Sequence, residues 1–165
     1  LIAFDLDAWL RKPGLPPGAR QPQSEALQKV DSAAKGWAAG EIATAALPVK
    51  TWTTQETLRF LRALPERVGA ERMTELDKAY GFTKTGNYEI LFQWMMMAVR
   101  NGYEPPSPRL DRFLVEVGRR KYVRPLYEEL AKTPAGKERA ARIYEKARDG
   151  YHPITQSTVE KIVKP

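Results

Sequence analysis

What most limits the folds open to this chain is the way its apolar residues recur between prolines and glycines. Thirteen prolines and eleven glycines divide 165 residues into short stretches, and within nearly every stretch the large apolar side chains fall three and four apart. That spacing marks one face of an α-helix; a half-buried strand would alternate at every second residue, which no stretch sustains. Residues 23–39 carry Leu27, Val30, Ala34 and Trp37 ahead of Gly40. Thr53 and Glu56 are spaced as a reciprocal N-terminal capping pair, opening a helix that buries Leu58, Leu61 and Leu64 and stops at Pro65. Further helices are predicted over 70–80 (Met73, Leu76, Tyr80), 108–117 (Leu110, Phe113, Leu114, Val117), 125–132 (Leu126, Leu130) and 135–148 (Ala140, Ile143, Tyr144, Ala147).

Residues 87–100 are the most apolar, with Ile90, Leu91, Trp94, Met95, Ala98 and Val99, and are read as the central helix. Its Met95-Met96-Met97 run is core filling, because thioethers adapt to irregular gaps. The tail 151–165 closes the stack as a short helix facing inward through Ile154, Val159 and Ile162. The fold class that follows is all-α, in two layers of antiparallel helix pairs. No fixed-period repeat is present, so a solenoid-like curvature does not come from periodicity.

Residues 1–22 read differently. Phe4, Leu6, Trp9 and Leu10 are apolar anchors, and Pro13-Gly14-Leu15-Pro16-Pro17-Gly18 has little capacity for helix. This segment is expected to be a strap leading in from a preceding domain, with 23–165 as a single helical domain. A start at Leu1 instead of Met fits a piece of a larger protein. The chain shows no targeting segment and no apolar run long enough for a bilayer, so no membrane span is expected and the compartment, cytoplasm or periplasm, stays open.

With no cysteine and one histidine, His152, thiolate metal sites and cysteine nucleophiles are excluded and a two-histidine zinc site cannot be built. No catalytic or metal-ligating residue is assigned, and His152 is given a structural role beside Pro153. The formal net charge of +7 raises a nucleic-acid or acidic protein partner. The acids, however, interleave with the bases over 63–78 and 127–149, the pattern of solvated helix faces, and a phosphate-binding stripe is disfavoured.

One stretch concentrates charge. From Gly118 to Tyr127 the chain reads Gly-Arg-Arg-Lys-Tyr-Val-Arg-Pro-Leu-Tyr, with four cations in six positions. Gly118 is expected to end a helix in a left-handed cap, and Pro125 to restart one after an extended Arg124. The cations would then sit on a short, framed corner where they can meet one anion, although residue types alone favour a solvated basic turn.

Asp7-Ala8-Trp9-Leu10 with Pro13-Gly14-Leu15-Pro16-Pro17, the 118–127 corner, and Tyr151-His152-Pro153-Ile154-Thr155 together resemble the C-terminal helical domain of the leukotriene A(4) hydrolase family and its bacterial aminopeptidase relatives. The resemblance implies an armadillo-like α-α superhelix that closes one side of an active-site cleft. It implies a preceding catalytic domain that holds zinc in a His-Glu-x-x-His helix, so this segment would need no cofactor and would not be catalytic alone. By the same resemblance Arg119 and Lys121 match a basic pair that receives the C-terminal carboxylate of a short peptide, with Gly118, Arg124 and Pro125 as structural neighbours. Arg120 stands where the family often has an apolar residue, and Val123 where it often has threonine. Were 118–124 continuous helix, side chains 119 and 121 would diverge by roughly 200°, so the pairing requires a turn. Epoxide hydrolysis belongs to one branch of that family and turns on residues outside this chain. The contrasting reading is a basic helical scaffold for nucleic acid or an acidic protein.

Overall fold

The computed structural model describes residues 6–15 and 24–164. Nine α-helices occur among them: α1 (Leu6–Arg11), α2 (Glu25–Ala39), α3 (Thr54–Ala63), α4 (Ala70–Tyr80), α5 (Tyr88–Asn101), α6 (Ser107–Glu116), α7 (Arg120–Leu130), α8 (Pro134–Ala147) and α9 (Pro153–Val163). No strand occurs among the described residues. The expected capping box forms: Thr53 Oγ1 accepts from the Glu56 amide at 3.3 Å, and Glu56 Oε2 accepts from the Thr53 amide at 2.8 Å. Gly40 ends α2 at φ 81°, a left-handed conformation that a side chain would strain.

The packing follows the alternation of helices. From α3 onward the odd-numbered helices lie side by side, α3 on α5, α5 on α7 and α7 on α9, while α2, α4, α6 and α8 cover them as a second layer. Because each even helix reverses the chain once, α5 and α7 run parallel. Their ion pairs show it, Glu89 with Lys121 at the N-terminal ends and Arg100 with Glu129 at the C-terminal ends. Two apolar clusters result. One gathers Trp37, Phe60, Leu61, Met73 and Leu76; the other gathers Leu110, Phe113, Leu126, Tyr127 and Tyr144. The central helix α5 serves both, giving Trp94, Met97 and Ala98 to the first and Leu91, Met95 and Met96 to the second. All three consecutive methionines are therefore buried, as core.

Several expectations need correction. Residues 6–11 are helical, and of that segment only Ala8 is buried, whereas Leu6, Leu10 and Trp9 (46%) are exposed. The expected anchor Phe4 lies outside the described residues, as does 16–18. In α9 the buried face is Thr155 and Val159, with Ile162 partly buried one turn on and Ile154 62% exposed, because the inward face runs 155, 159, 162 and leaves 154 one step off. Glu129, taken as part of a solvated face, is only 7% exposed.

The largest correction concerns the basic corner. α7 begins at Arg120 and carries Pro125 inside it. Tyr122, Leu126 and Leu130, and beside them Val123 and Tyr127, make one buried face only if 120–124 is already helical. Burying Tyr122 and Val123 stabilises by roughly 1.5–3 kcal/mol each, which offsets the ~3 kcal/mol of an internal proline. Gly118 is not left-handed either, its φ not being positive. Its lack of a side chain matters for approach: a Cβ there would stand 3.3 Å from the Gly150 carbonyl and 3.6 Å from Tyr151 Cδ1.

Candidate functional site

The N-terminal end of α7 is held from three sides. Tyr151 is buried and donates its hydroxyl to the Leu114 carbonyl near the end of α6, while the backbone at Gly118 rests against Gly150. Arg120 Nε donates to Thr158 Oγ1 on α9 at 3.1 Å. His152 caps α9, its Nδ1 accepting from the Ile154 amide at 3.3 Å. The turn between α6 and α7 is thus fixed by the turn between α8 and α9, which brings the sequence segments 118–127 and 151–155 together.

On this frame Arg119 is the residue before the helix, with φ −73° and ψ 111°, and its carbonyl accepts from the Tyr122 and Val123 amides. The extended backbone at 119 supplies the turn that the pairing of 119 with 121 requires, one residue before the helix starts. Arg119 Cζ stands 5.6 Å and Lys121 Nζ 5.2 Å from the centre of the Tyr122 ring, so both cations gather at one aromatic side chain. Arg120 and Arg124 do not join them. Arg120 turns to α9, and Arg124 pairs with Glu128 one turn on at 2.7 Å.

Glu89, in the first turn of α5, completes the arrangement and was not singled out from the sequence. Its Oε1 accepts from Lys121 Nζ at 2.5 Å and from the Tyr122 hydroxyl at 2.7 Å. The Lys121 and Tyr122 hydrogen bonds hold its carboxyl below the ordinary glutamate value, with the Lys121 and Arg119 charges adding to them. Burial first, and then the bond to Glu89, push the Tyr122 phenol up, so it stays a donor. Asn87 caps α5, its side-chain oxygen accepting from the Glu89 and Ile90 amides. Nothing local marks Glu89, whose partners lie 32 and 33 residues away.

The first turn of α7 holds Arg120 and Lys121 and no acid. Unpaired amides and the helix dipole make a helix start positive, so cations there are unfavourably placed unless an anion answers them. Glu89 answers Lys121. Arg119 is exposed and makes no ion pair or hydrogen bond by its side chain among the described residues, leaving a guanidinium free to take a carboxylate with two parallel bonds. The surrounding wall is aromatic: Tyr122 packs against Phe92 and Phe113, and the half-exposed Tyr88 against Phe113. No group of three or more His, Cys, Asp or Glu side chains able to hold a metal occurs among the described residues. No helix of the described residues is long and apolar enough to cross a membrane.

Residues 52–163 match the family model described as leukotriene A4 hydrolase, C-terminal. The chain is 32% identical to leucine aminopeptidase 2 of Neurospora crassa over 98% of its length and 24% of that protein's. It is 35% identical to leucine aminopeptidase 2 of Phaeosphaeria nodorum over 68% of this chain and 18% of that one. The chain thus spans about a quarter or less of these curated relatives. Native yeast LTA4 hydrolase has the same fold over 98% of this chain and 29% of its own, with a TM-score of 0.81 and 24% identity. Its complex with bestatin gives a TM-score of 0.76 over 99% of this chain and 30% of that one.

Proposed function

This chain belongs to the leukotriene A4 hydrolase C-terminal family, and from that premise we propose that it closes one side of the cleft of an aminopeptidase and holds the C-terminal carboxylate of short peptides. Arg119 grips the carboxylate and Lys121 supports it. The observation that supports the reading is that Arg119 and Lys121 both lie over Tyr122 at one helix end while the Arg119 guanidinium has no ion-pair or hydrogen-bond partner among the described residues. Arginine suits the grip because its planar fork matches two carboxylate oxygens; lysine adds a point charge without competing for that geometry.

No cluster of three or more His, Cys, Asp or Glu side chains that could hold zinc occurs among the described residues. We assign the zinc, the attacking water and the general base to a preceding domain of the same protein, with residues 1–22 leading from it and 23–165 as the helical domain. The exposed Leu6, Trp9 and Leu10 are the side chains of the strap that such a domain would cover. A carboxylate held at a fixed distance from the scissile bond would then select di- and tripeptides by length.

The test is Arg119→Ala in the full-length enzyme. Catalytic efficiency on a tripeptide should fall about 30-fold or more, corresponding to roughly 2 kcal/mol of lost charge-assisted binding. The same peptide with a C-terminal amide should lose only a few-fold, and the melting temperature should barely move, since the exposed Arg119 side chain makes no hydrogen bond among the described residues. Equal losses on acid and amide would overturn the assignment.

A further inference from the structure

At the other ends of α5 and α7, about 12–16 Å along the helices from the clamp at 1.5 Å per residue, lies a second concentration of positive charge. A cavity of about 480 Å³ opens there between the turn before α4, the C-terminal ends of α5 and α7, and the first turns of α6 and α8. Five cations line it, Arg67, Arg100, Lys132, Arg139 and Arg142, against the carboxylates of Glu104 and Glu129. Both carboxylates are occupied. Glu129 accepts from Arg100 Nε at 2.9 Å with one oxygen and from Lys132 Nζ at 2.8 Å with the other, and Glu104 accepts from the Ser107 hydroxyl at 2.7 Å.

The donors, in contrast, are not used up. Arg100 commits only Nε, its approach to Glu66 being 3.8 Å, so its terminal nitrogens are available. Arg142 reaches Glu138 only at 3.9 Å, and Arg67 has no ion pair or hydrogen bond among the described residues. Arg139 alone is saturated, by Asp111 and Ser107. Two helix starts, α6 and α8, and two helix ends, α5 and α7, face the cavity, so the helix dipoles offset one another and the positive field comes from the guanidinium and ammonium groups. Cations gathered on a concave wall focus a positive field and raise the local concentration of anions.

We propose that this cavity binds a small molecule carrying two or more linked phosphate groups. The available guanidinium donors come from three separate elements, Arg67 ahead of α4, Arg100 on α5 and Arg142 on α8, in a space far larger than one phosphate. A ligand with separated anionic groups engages all three; a single phosphate does not. The proposal uses none of the residues of the carboxylate clamp and stands independently of it.

The experiment is thermal melting and calorimetric titration of the full-length protein with inorganic tripolyphosphate and pyrophosphate at constant ionic strength, with orthophosphate and chloride alongside. Saturable stabilisation is expected, with tripolyphosphate binding at least ten times more tightly than orthophosphate. The double variant Arg67→Ala, Arg142→Ala should weaken tripolyphosphate binding tenfold or more. Both side chains are exposed and make no hydrogen bond among the described residues, and the Arg142 approach to Glu138 is exposed and 3.9 Å long, so the variant keeps its melting temperature. Arg119→Ala should leave the binding unchanged, separating this site from the clamp. The proposal is overturned by absence of saturable binding, by binding that survives the double variant, or by binding that disappears with Arg119.

Discussion

Replacing Glu89 by glutamine probes the carboxylate clamp more sharply than removing either cation. Glutamine keeps the length and an acceptor oxygen for Lys121 Nζ and the Tyr122 hydroxyl, and removes only the negative charge. An anion bridging Arg119 and Lys121 lies across the Lys121 ammonium from Glu89, whose oxygen is 2.5 Å from that nitrogen. The two carboxylates are then roughly 5 Å apart, and at an effective dielectric of ~40, between bulk water and a protein surface, they repel by about 1.7 kcal/mol. Glu89 is 32% exposed, so salt at physiological strength reduces this, and the full value belongs to low ionic strength. Glu89→Gln should therefore lower KM for a free tripeptide about tenfold in dilute buffer, less in 0.15 M salt, with kcat little changed. The amidated peptide should show no gain. The price is a small loss of stability, below about 1 kcal/mol for a pair this exposed. Since the Glu89 pKa is lowered on folding from an ordinary value of 4.5, that contribution is present above pH 4.5 and lost as pH falls through the folded value. An unchanged or raised KM for the free acid would place the anion elsewhere and refute the reasoning.

The tyrosines of the second core set an alkaline limit: burial pushes Tyr151 up to about 12 and Tyr127 higher still. Phenols whose pKa is raised above the unfolded value near 10 stabilise fully below pH 10 and cease to do so as pH rises through the folded value, so helix loss by circular dichroism should coincide with tyrosinate absorbance between pH 10 and 12. Ionisation of all seven tyrosines with the helices intact would contradict this. Gly136→Ala should cost roughly 3 kcal/mol or more in urea unfolding, because a Cβ there would stand 2.1 Å from the Leu130 carbonyl oxygen at the α7–α8 turn. Gly86→Ala, where a Cβ meets nothing within 4 Å, is the matched control and should change stability little.

Much of the fold was legible because it rests on local chemistry. The Thr53 and Glu56 cap, the Gly40 stop and the three-and-four spacing of Leu110, Phe113 and Leu114 each act within a turn or two, and each appears where expected. The start of α7 was misplaced for the opposite reason. A glycine and a proline are strong local signals, but the burial of Tyr122 and Val123 against α5 and α9 outweighs them, and that burial exists only in the assembled fold. The candidate site was half legible: Arg119 and Lys121 could be named from the resemblance, whereas Glu89 looked like any first-turn glutamate.

By itself, then, the amino-acid sequence determined an all-helical chain, the apolar face of most of its helices and the family to which it belongs. Only the tertiary structure decided which charges are paired and which are free. Glu89 meets Lys121 across 32 residues and Glu129 meets Arg100 across 29, while Arg119, Arg67 and most of the Arg142 guanidinium are left open. The physical reason is that helical periodicity is written into neighbouring residues, whereas the partner of a charge is set by which helix ends the packing of two layers brings side by side.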